Sequence, residues 1–264
     1  MSHVEAYSRL AAVYDEIVID PCHKHWAAFL HALWSGDPDG VRTVLDVCCG
    51  TGLLASELSA RGYEVVGVDA SEAMLDVARE RLGPDVLLSR MTLPDLMVEG
   101  VYDAAVCTFD GLNYLTPEEL RLTMGELALH IRPGGWFVFD LHTDRMMEFT
   151  ISNPVVAGEG AGHDFVIRSV VDPDARTCDT IIELARARDG EPFSEQHRQY
   201  FHADAAVRGA LQGAGFAVTA ISEEYTHRPV DPSTLRATWT CRLRRTSPDG
   251  EGGAVGPGSQ PTST

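Results

Sequence analysis

Along residues 42–141 short apolar runs alternate with amphipathic stretches. The runs at 42–47, 63–69, 85–90, 101–107 and 136–141 are rich in β-branched and apolar side chains and have the length of buried strands. Between them, 52–61, 71–82 and 117–130 carry apolar residues at helical spacing. Ser71 is placed as N-cap of the second helix, and Pro117-Glu118-Glu119 opens the third. Strand and helix in regular alternation predict a parallel sheet covered on both faces.

The pattern changes after residue 141. A loop with Gly158, Gly160 and Gly162 precedes three strand-like runs, 165–171, 178–188 and 193–202, separated by the turn sequences Asp172-Pro173-Asp174 and Arg188-Asp189-Gly190-Glu191-Pro192. No helix intervenes, so these read as an antiparallel meander. A helix at 203–213 and strands at 216–224 and 234–244 complete a doubly wound, seven-stranded, mostly parallel α/β sheet. Two helices, 3–19 and 22–33, precede the sheet, with Pro21 between them. The expected organisation is an N-terminal helical cap (1–40), a core (41–142 and 203–245), an inserted antiparallel lid (143–202) and a disordered tail (246–264) rich in Gly, Ser, Pro and Thr.

Chemistry enters at the first strand-to-helix turn, Asp46-Val47-Cys48-Cys49-Gly50-Thr51-Gly52. Glycines there let backbone N–H groups at a helix N-terminus approach a ligand. A dinucleotide site wants a third glycine and an incoming pyrophosphate, whereas this chain has Ala55 in that slot and the carboxylate of Asp46 at the strand end. An acid repels phosphate and attracts the sulfonium and ammonium of S-adenosylmethionine. The second strand ends in Asp69, 23 positions on, where an acid accepts both hydroxyls of a ribose.

With these two motifs the chain resembles the class I S-adenosylmethionine-dependent methyltransferases of small-molecule type, similar to bacterial enzymes that methylate amino sugars and small amines. Cys48 stands where that family usually has a smaller residue. The resemblance covers 42–141 and implies a Rossmann-like methyltransferase fold. It implies a cofactor site built from Asp46, Cys48, Gly50, Thr51, Gly52, Asp69, Ala70, Met74, Met91, Thr108 and Asn113, with S-adenosyl-L-homocysteine as product. Arg90 occupies the place of the acid that often faces the adenine, which leaves Met91 as an apolar face. Leading helices in such enzymes close over the cofactor, making Tyr14, Asp15 and Trp26 lining candidates.

Composition narrows the acceptor. Asp and Glu outnumber Lys and Arg by 39 to 21, for a formal charge of −18, without a basic stripe. Nucleic-acid binding rests on neutralising phosphates, so DNA and RNA are disfavoured as partners and a small molecule, with an amine mildly preferred, is expected. No apolar run reaches membrane-spanning length, and the first residues lack a signal-peptide pattern, so the chain is expected to be cytoplasmic, as a monomer or homodimer. Six cysteines without C-x-x-C spacing read as buried hydrophobes in a reducing compartment. Cys22-His23-Lys24-His25 has no second ligand cluster at zinc spacing, so no metal is assigned.

Methyl transfer from a sulfonium asks chiefly for alignment and exclusion of water. The candidates for proton handling are His142, just past the fifth strand, His197, on one face of the last lid strand with Glu195 and Gln199, and Tyr14. The expected function is methyl transfer to a nitrogen, or failing that an oxygen, of a small natural-product-type molecule. The alternatives are a relative that binds the cofactor without methylating, as a cyclase or binding module, and a dinucleotide oxidoreductase, which Asp46 and Ala55 disfavour.

Overall fold

The computed structural model describes residues 6–17, 22–160, 162–186 and 191–245. A one-turn helix α1 (Tyr14–Ile17) and α2 (Cys22–Ser35) lead into β1 (Thr43–Val47), α3 (Leu53–Ser59), β2 (Glu64–Asp69), α4 (Glu72–Leu82), β3 (Leu87–Arg90), β4 (Tyr102–Cys107), α5 (Pro117–His130) and β5 (Ile131–His142). Then come α6 (Asp144–Ser152), β6 (Val155–Gly160), β7 (His163–Asp172), β8 (Thr177–Arg186), β9 (Phe193–Tyr200), α7 (Asp204–Gly213), β10 (Phe216–Glu223) and β11 (Arg236–Leu243).

Seven strands form one sheet in the order β10-β11-β5-β4-β1-β2-β3, in which β11 pairs antiparallel with both β10 and β5 and the other neighbouring pairs are parallel. Successive side chains of a central strand feed opposite faces, which is why those strands read as unbroken apolar runs. Leu45, Val47, Phe137 and Phe139 pack toward Leu120, Met124, Leu127 and Leu211 of α5 and α7. Val44, Val65, Val106 and Val138 pack toward Trp26, Leu30, Leu54 and Leu58 of α2 and α3. Local signals agree with this packing. Ser71 accepts the N–H of Met74 at 3.3 Å, and Thr116 with Glu119 forms a capping box at the start of α5. Among the described residues no helix is long and apolar enough to cross a membrane.

Two segments depart from expectation. The glycine-containing loop after β5 is a helix and a strand: α6, capped by the Thr143 hydroxyl on the N–H of Met146, then β6, so the second sheet has four strands, β6-β7-β8-β9, rather than three. Gly158 pairs with Phe165, and a Cβ on it would lie 2.5 Å from the phenyl ring; the glycine makes room for that ring and is not a loop marker. The first expected helix is also broken. Between 6 and 17 the chain forms a short 3-10 turn (Leu10–Ala12) and α1, because the N–H groups of Tyr7, Arg9 and Leu10 point at a lid carboxylate instead of at helical carbonyls. The remainder of that expected helix and the expected tail at 246–264 lie outside the described residues.

Candidate active site

A cavity of about 330 Å³ opens at the carboxyl ends of β1, β2 and β4. Its wall contains Cys48, Gly50 and Thr51 of the glycine elbow, Asp69 and Ala70 at the end of β2, Met74 of α4, Met91 after β3, Thr108 after β4, and Tyr14 from the N-terminal segment. Of the residues expected around a cofactor, Asp46, Gly52 and Asn113 lie outside this wall, as do His142, His197 and Trp26. Tyr7, Ser71, Phe109 and Tyr114 belong to it and were not among the residues expected to form the site. Arg90 turns away, donating to the carbonyl of Ala70 at 2.9 Å, so Met91, Thr92 and Leu93 form the wall after β3.

Asp69 organises the elbow. Its Oδ2 accepts the N–H of Gly50 at 2.9 Å and its Oδ1 that of Ser71 at 2.8 Å. Burial raises its carboxyl, opposed by those backbone donors and by Ala70. Each carboxylate oxygen has a second lone pair, so the group still accepts hydroxyls from within the cavity.

Asp46 sits apart from the wall. It is 1% exposed, stands behind the elbow rather than in the wall, and its Oδ2 has no hydrogen-bond partner. Burial first and the charge of Asp69 second push its carboxyl up to about 8. An acid whose pKa is about 4 in the unfolded chain and about 8 in the fold stabilises the protein fully below the lower value, and that share is lost as pH rises through the upper one. Stability without ligand should therefore fall between about pH 5 and 8, by at most about 1.4 kcal/mol per pH unit from this group. Thermal unfolding across that range should show a shallower slope in Asp46→Asn; an equal slope would remove Asp46 as the cause.

The elbow needs its glycines for different reasons. Gly50 (φ +54°) has no atom within 4 Å of where a Cβ would sit, so it faces open space. Gly52 (φ +76°) abuts α4: a Cβ would lie 2.8 Å from Leu82 Cδ1 and 3.1 Å from Ala78 Cβ. A valine at Gly52 would thus push α3 and α4 apart rather than block a ligand's approach. Cys48 is itself left-handed (φ +57°), and Gly111 accommodates it, since a Cβ there would lie 2.9 Å from Cys48 Cβ. Thr51 lends its hydroxyl to Asp15 at 2.7 Å, and Arg81 bridges the Thr51 carbonyl and Asp15, tying the N-terminal segment to the elbow.

The turn after β4 holds two consecutive left-handed residues, Phe109 (φ +61°) and Asp110 (φ +52°), a conformation that other contacts must enforce. Buried Asp140 of β5 accepts both their N–H groups, at 2.8 and 2.6 Å, together with the hydroxyl of Tyr225 at 2.9 Å. Arg236 lies over the Phe109 ring at 4.7 Å and reaches Asp110 at 3.0 Å, Glu224 at 2.8 Å and Asp140 at 3.7 Å. Burial would raise the Asp110 carboxyl, but His142 and Arg236, with a hydrogen bond from Gln199, hold it at about 2. His142, 3.6 Å from Asp110, belongs to the wall of a separate cavity of about 510 Å³, so its imidazole is behind the turn. Asn113 is fully buried and bonded twice, donating to the Tyr200 carbonyl at 2.7 Å and accepting the N–H of His142 at 3.1 Å. It fastens β9 to β5. Trp26 is core, packed on Tyr225 and Phe109 at 4.9 and 5.5 Å between ring centroids.

The second sheet touches two residues of the wall, Tyr7 and Tyr114, through β9. Glu195, 2% exposed, accepts the N–H groups of Tyr7, Arg9 and Leu10 at 2.7, 2.6 and 2.9 Å. Ser71 donates to the Tyr7 carbonyl at 3.1 Å, and the Tyr7 ring meets Tyr14 edge-on at 5.6 Å. The Tyr7 hydroxyl lies 2.6 Å from that of Tyr114, which is 3.1 Å from Nδ1 of His197. Tyr14 and Tyr7 therefore face the cavity, and His197 stands one layer behind them.

Comparison with known proteins agrees with this geometry. Residues 44–135, which span the elbow, Asp69 and the turn after β4, match the family described as a methyltransferase domain. A Bacillus subtilis protein named as a methyltransferase, YqeM, is 25% identical over 226 residues, 83% of this chain and 90% of that one. The dTDP-3-amino-3,4,6-trideoxy-alpha-D-glucopyranose N,N-dimethyltransferase of Streptomyces venezuelae is 29% identical over 180 residues, 67% of this chain and 76% of that one. The fold is that of an S-adenosylmethionine-dependent methyltransferase from Clostridium acetobutylicum, with TM-score 0.80 at 20% identity over 91% of this chain and 100% of the other. Residues 44–135 form a methyltransferase domain, and the chain shares the fold of S-adenosylmethionine-dependent methyltransferases.

Proposed function

We propose that this enzyme methylates a nitrogen of a small, cationic acceptor, an amino sugar or comparable natural-product amine, within the cavity that the elbow, Asp69 and the tyrosines enclose. The observation that carries the reading is the wall itself. Among the described residues its charged members are the acids Asp69 and Glu119, with no arginine or lysine, and three phenols from two segments, Tyr7, Tyr14 and Tyr114, converge at one end. Such a wall suits a positively charged donor and an amine.

The residues present fit the donor. Gly50 leaves open space at the elbow, Asp69 retains lone pairs for ribose hydroxyls, and Met74 and Met91 supply apolar surface. When bound, the donor supplies an electrophilic methyl carbon: the acceptor nitrogen's lone pair forms the new C–N bond while the C–S electron pair stays on sulfur. The chain's own contribution is placement and exclusion of water. Tyr7, held by Glu195 and Ser71, and Tyr14, carried by the segment tied to Thr51, close the cavity over the reacting atoms. Residues 143–202 act as the lid that shapes acceptor choice.

The test is turnover. With S-adenosylmethionine and the dTDP-3-amino-3,4,6-trideoxy sugar as probe, together with a panel of small primary and secondary amines, S-adenosylhomocysteine should accumulate and an amine should gain the mass of one or two methyl groups. Turnover confined to hydroxyl acceptors, or none with any amine, would overturn the reading.

A further inference from the structure

We infer that His197, Tyr114 and Tyr7 form a hydrogen-bond chain whose polarity the facing Glu195 carboxylate fixes, ending in a proton-accepting phenol oxygen on the cavity wall, along which the acceptor nitrogen sheds its proton. The inference rests on the amine reading above and assigns it a base.

The polarity follows from Glu195. Three backbone N–H groups already point at its buried carboxylate. Burial alone would raise that carboxyl, but His197 and these three donors hold it below its ordinary range, so the group is an anion. The nearest imidazole nitrogen is Nε2 of His197, buried, without a hydrogen-bond partner and facing Oε2 at 3.6 Å. An anion facing Nε2 favours the tautomer that carries its proton there, which makes Nδ1 the acceptor. The opposite tautomer would set a lone pair against the carboxylate. Nδ1 then takes the single hydroxyl proton of Tyr114 across 3.1 Å, and the Tyr114 oxygen takes that of Tyr7 across 2.6 Å. Tyr7, in the cavity wall, has given its proton inward and keeps lone pairs for a donor in the cavity.

An ammonium cannot attack, and a methylated amine must lose a proton before a second transfer. Along this chain the N–H proton passes to Tyr7, the proton of Tyr7 to Tyr114 and that of Tyr114 to Nδ1 of His197, while the nitrogen keeps its electron pair. The product is an imidazolium beside the Glu195 carboxylate, and neither phenol passes through a phenolate. That matters because burial raises both phenols well above their ordinary value, with their mutual contact adding to the rise at Tyr7. The titratable neighbours of His197 are Glu195 on its own strand, Tyr7 from the N-terminal segment and Tyr114 from the turn after β4. Tyr14 and Asp110 act on the phenols, and Asp69 acts on Tyr7. Tyr7 is the group that meets the nitrogen; the other three position and polarise it.

Nitrogen-15 spectra of the full-length chain labelled at histidine test the polarity without any acceptor. His197 is assigned by its loss in His197→Gln. The expected result is a neutral ring protonated at Nε2, whose Nδ1 resonance moves strongly in Tyr114→Phe and also moves in Tyr7→Phe, which keeps the ring packed on His197 at 4.8 Å and removes only the hydroxyl bonded to Tyr114. A ring protonated at Nδ1, or a resonance that ignores Tyr7→Phe, would overturn the inference. With the amino-sugar probe, Tyr7→Phe should lower kcat by about 10²-fold or more, and Glu195→Gln should move the acid limb of kcat/KM. An unmoved limb with unchanged kcat would also overturn it. Failure of every amine to turn over counts against the amine reading alone, because the nitrogen-15 spectra decide the polarity independently.

Discussion

Replacing Arg236 with methionine is expected to destabilise the protein by about 3–5 kcal/mol, the usual cost of removing one partner from a buried ion cluster. At roughly 2–4 °C per kcal/mol for a chain of this size, that is a fall of about 10 °C in the thermal midpoint. The guanidinium is the cation shared by Asp110, Asp140 and Glu224. Methionine retains much of the aliphatic volume but removes the guanidinium that Asp110 and Asp140 share across the Phe109 turn, leaving only His142 beside Asp110. Because that turn depends on Asp140 to hold two left-handed residues, the cavity wall at Phe109 and Tyr114 should loosen with it. Calorimetric unfolding checks the magnitude; a midpoint within a degree or two of wild type would show that the cluster is not the constraint described.

Glu195→Ala should lower stability by about 3 kcal/mol, since three N–H groups would lose an ionised acceptor and hydrogen bonds to charged groups contribute roughly 1.5–3 kcal/mol each. The loss is smaller than the sum because the N-terminal segment can peel away and recover hydration. That release is the informative outcome. The amides of Tyr7, Arg9 and Leu10 should exchange with solvent much faster in the variant, while those of β1 and β4 keep their protection. Protection unchanged at Leu10 would mean that the segment is held by Asp15, Thr51 and Arg81 rather than by the lid.

The sheet was legible because each strand and helix announces itself locally. Central strands are continuous apolar runs, Ser71 and Thr116 cap their helices, and the order of elements leaves few ways to wind a parallel sheet. The elbow and Asp69 were legible for the same reason, being neighbours across β1 and β2. Residues whose roles are set across the chain were not. Tyr7 and Glu195 are 188 positions apart, and Tyr114 and His197 are 83 apart, so no spacing rule links them. His142 obeys the rule that sites lie past the strand ends, yet the tight turn at Phe109 and Asp110 puts Asp110 between it and the phenols. Asp46 illustrates a different failure. Charge at a strand end suggests a ligand contact, but the elbow folds over it and its side chain faces Asp69 and the protein interior.

Placement of the donor requires Asp69 to serve two sets of partners at once, the elbow's N–H groups and the ribose hydroxyls. Calorimetric titration of S-adenosylmethionine into wild-type protein and Asp69→Asn, with folding checked by circular dichroism, tests this directly. The amide keeps the shape but loses the charge and half the acceptor capacity, so the dissociation constant should rise about 10- to 100-fold, corresponding to about 1.4–2.8 kcal/mol. Equal dissociation constants in two equally folded proteins would contradict the placement of the donor in this cavity.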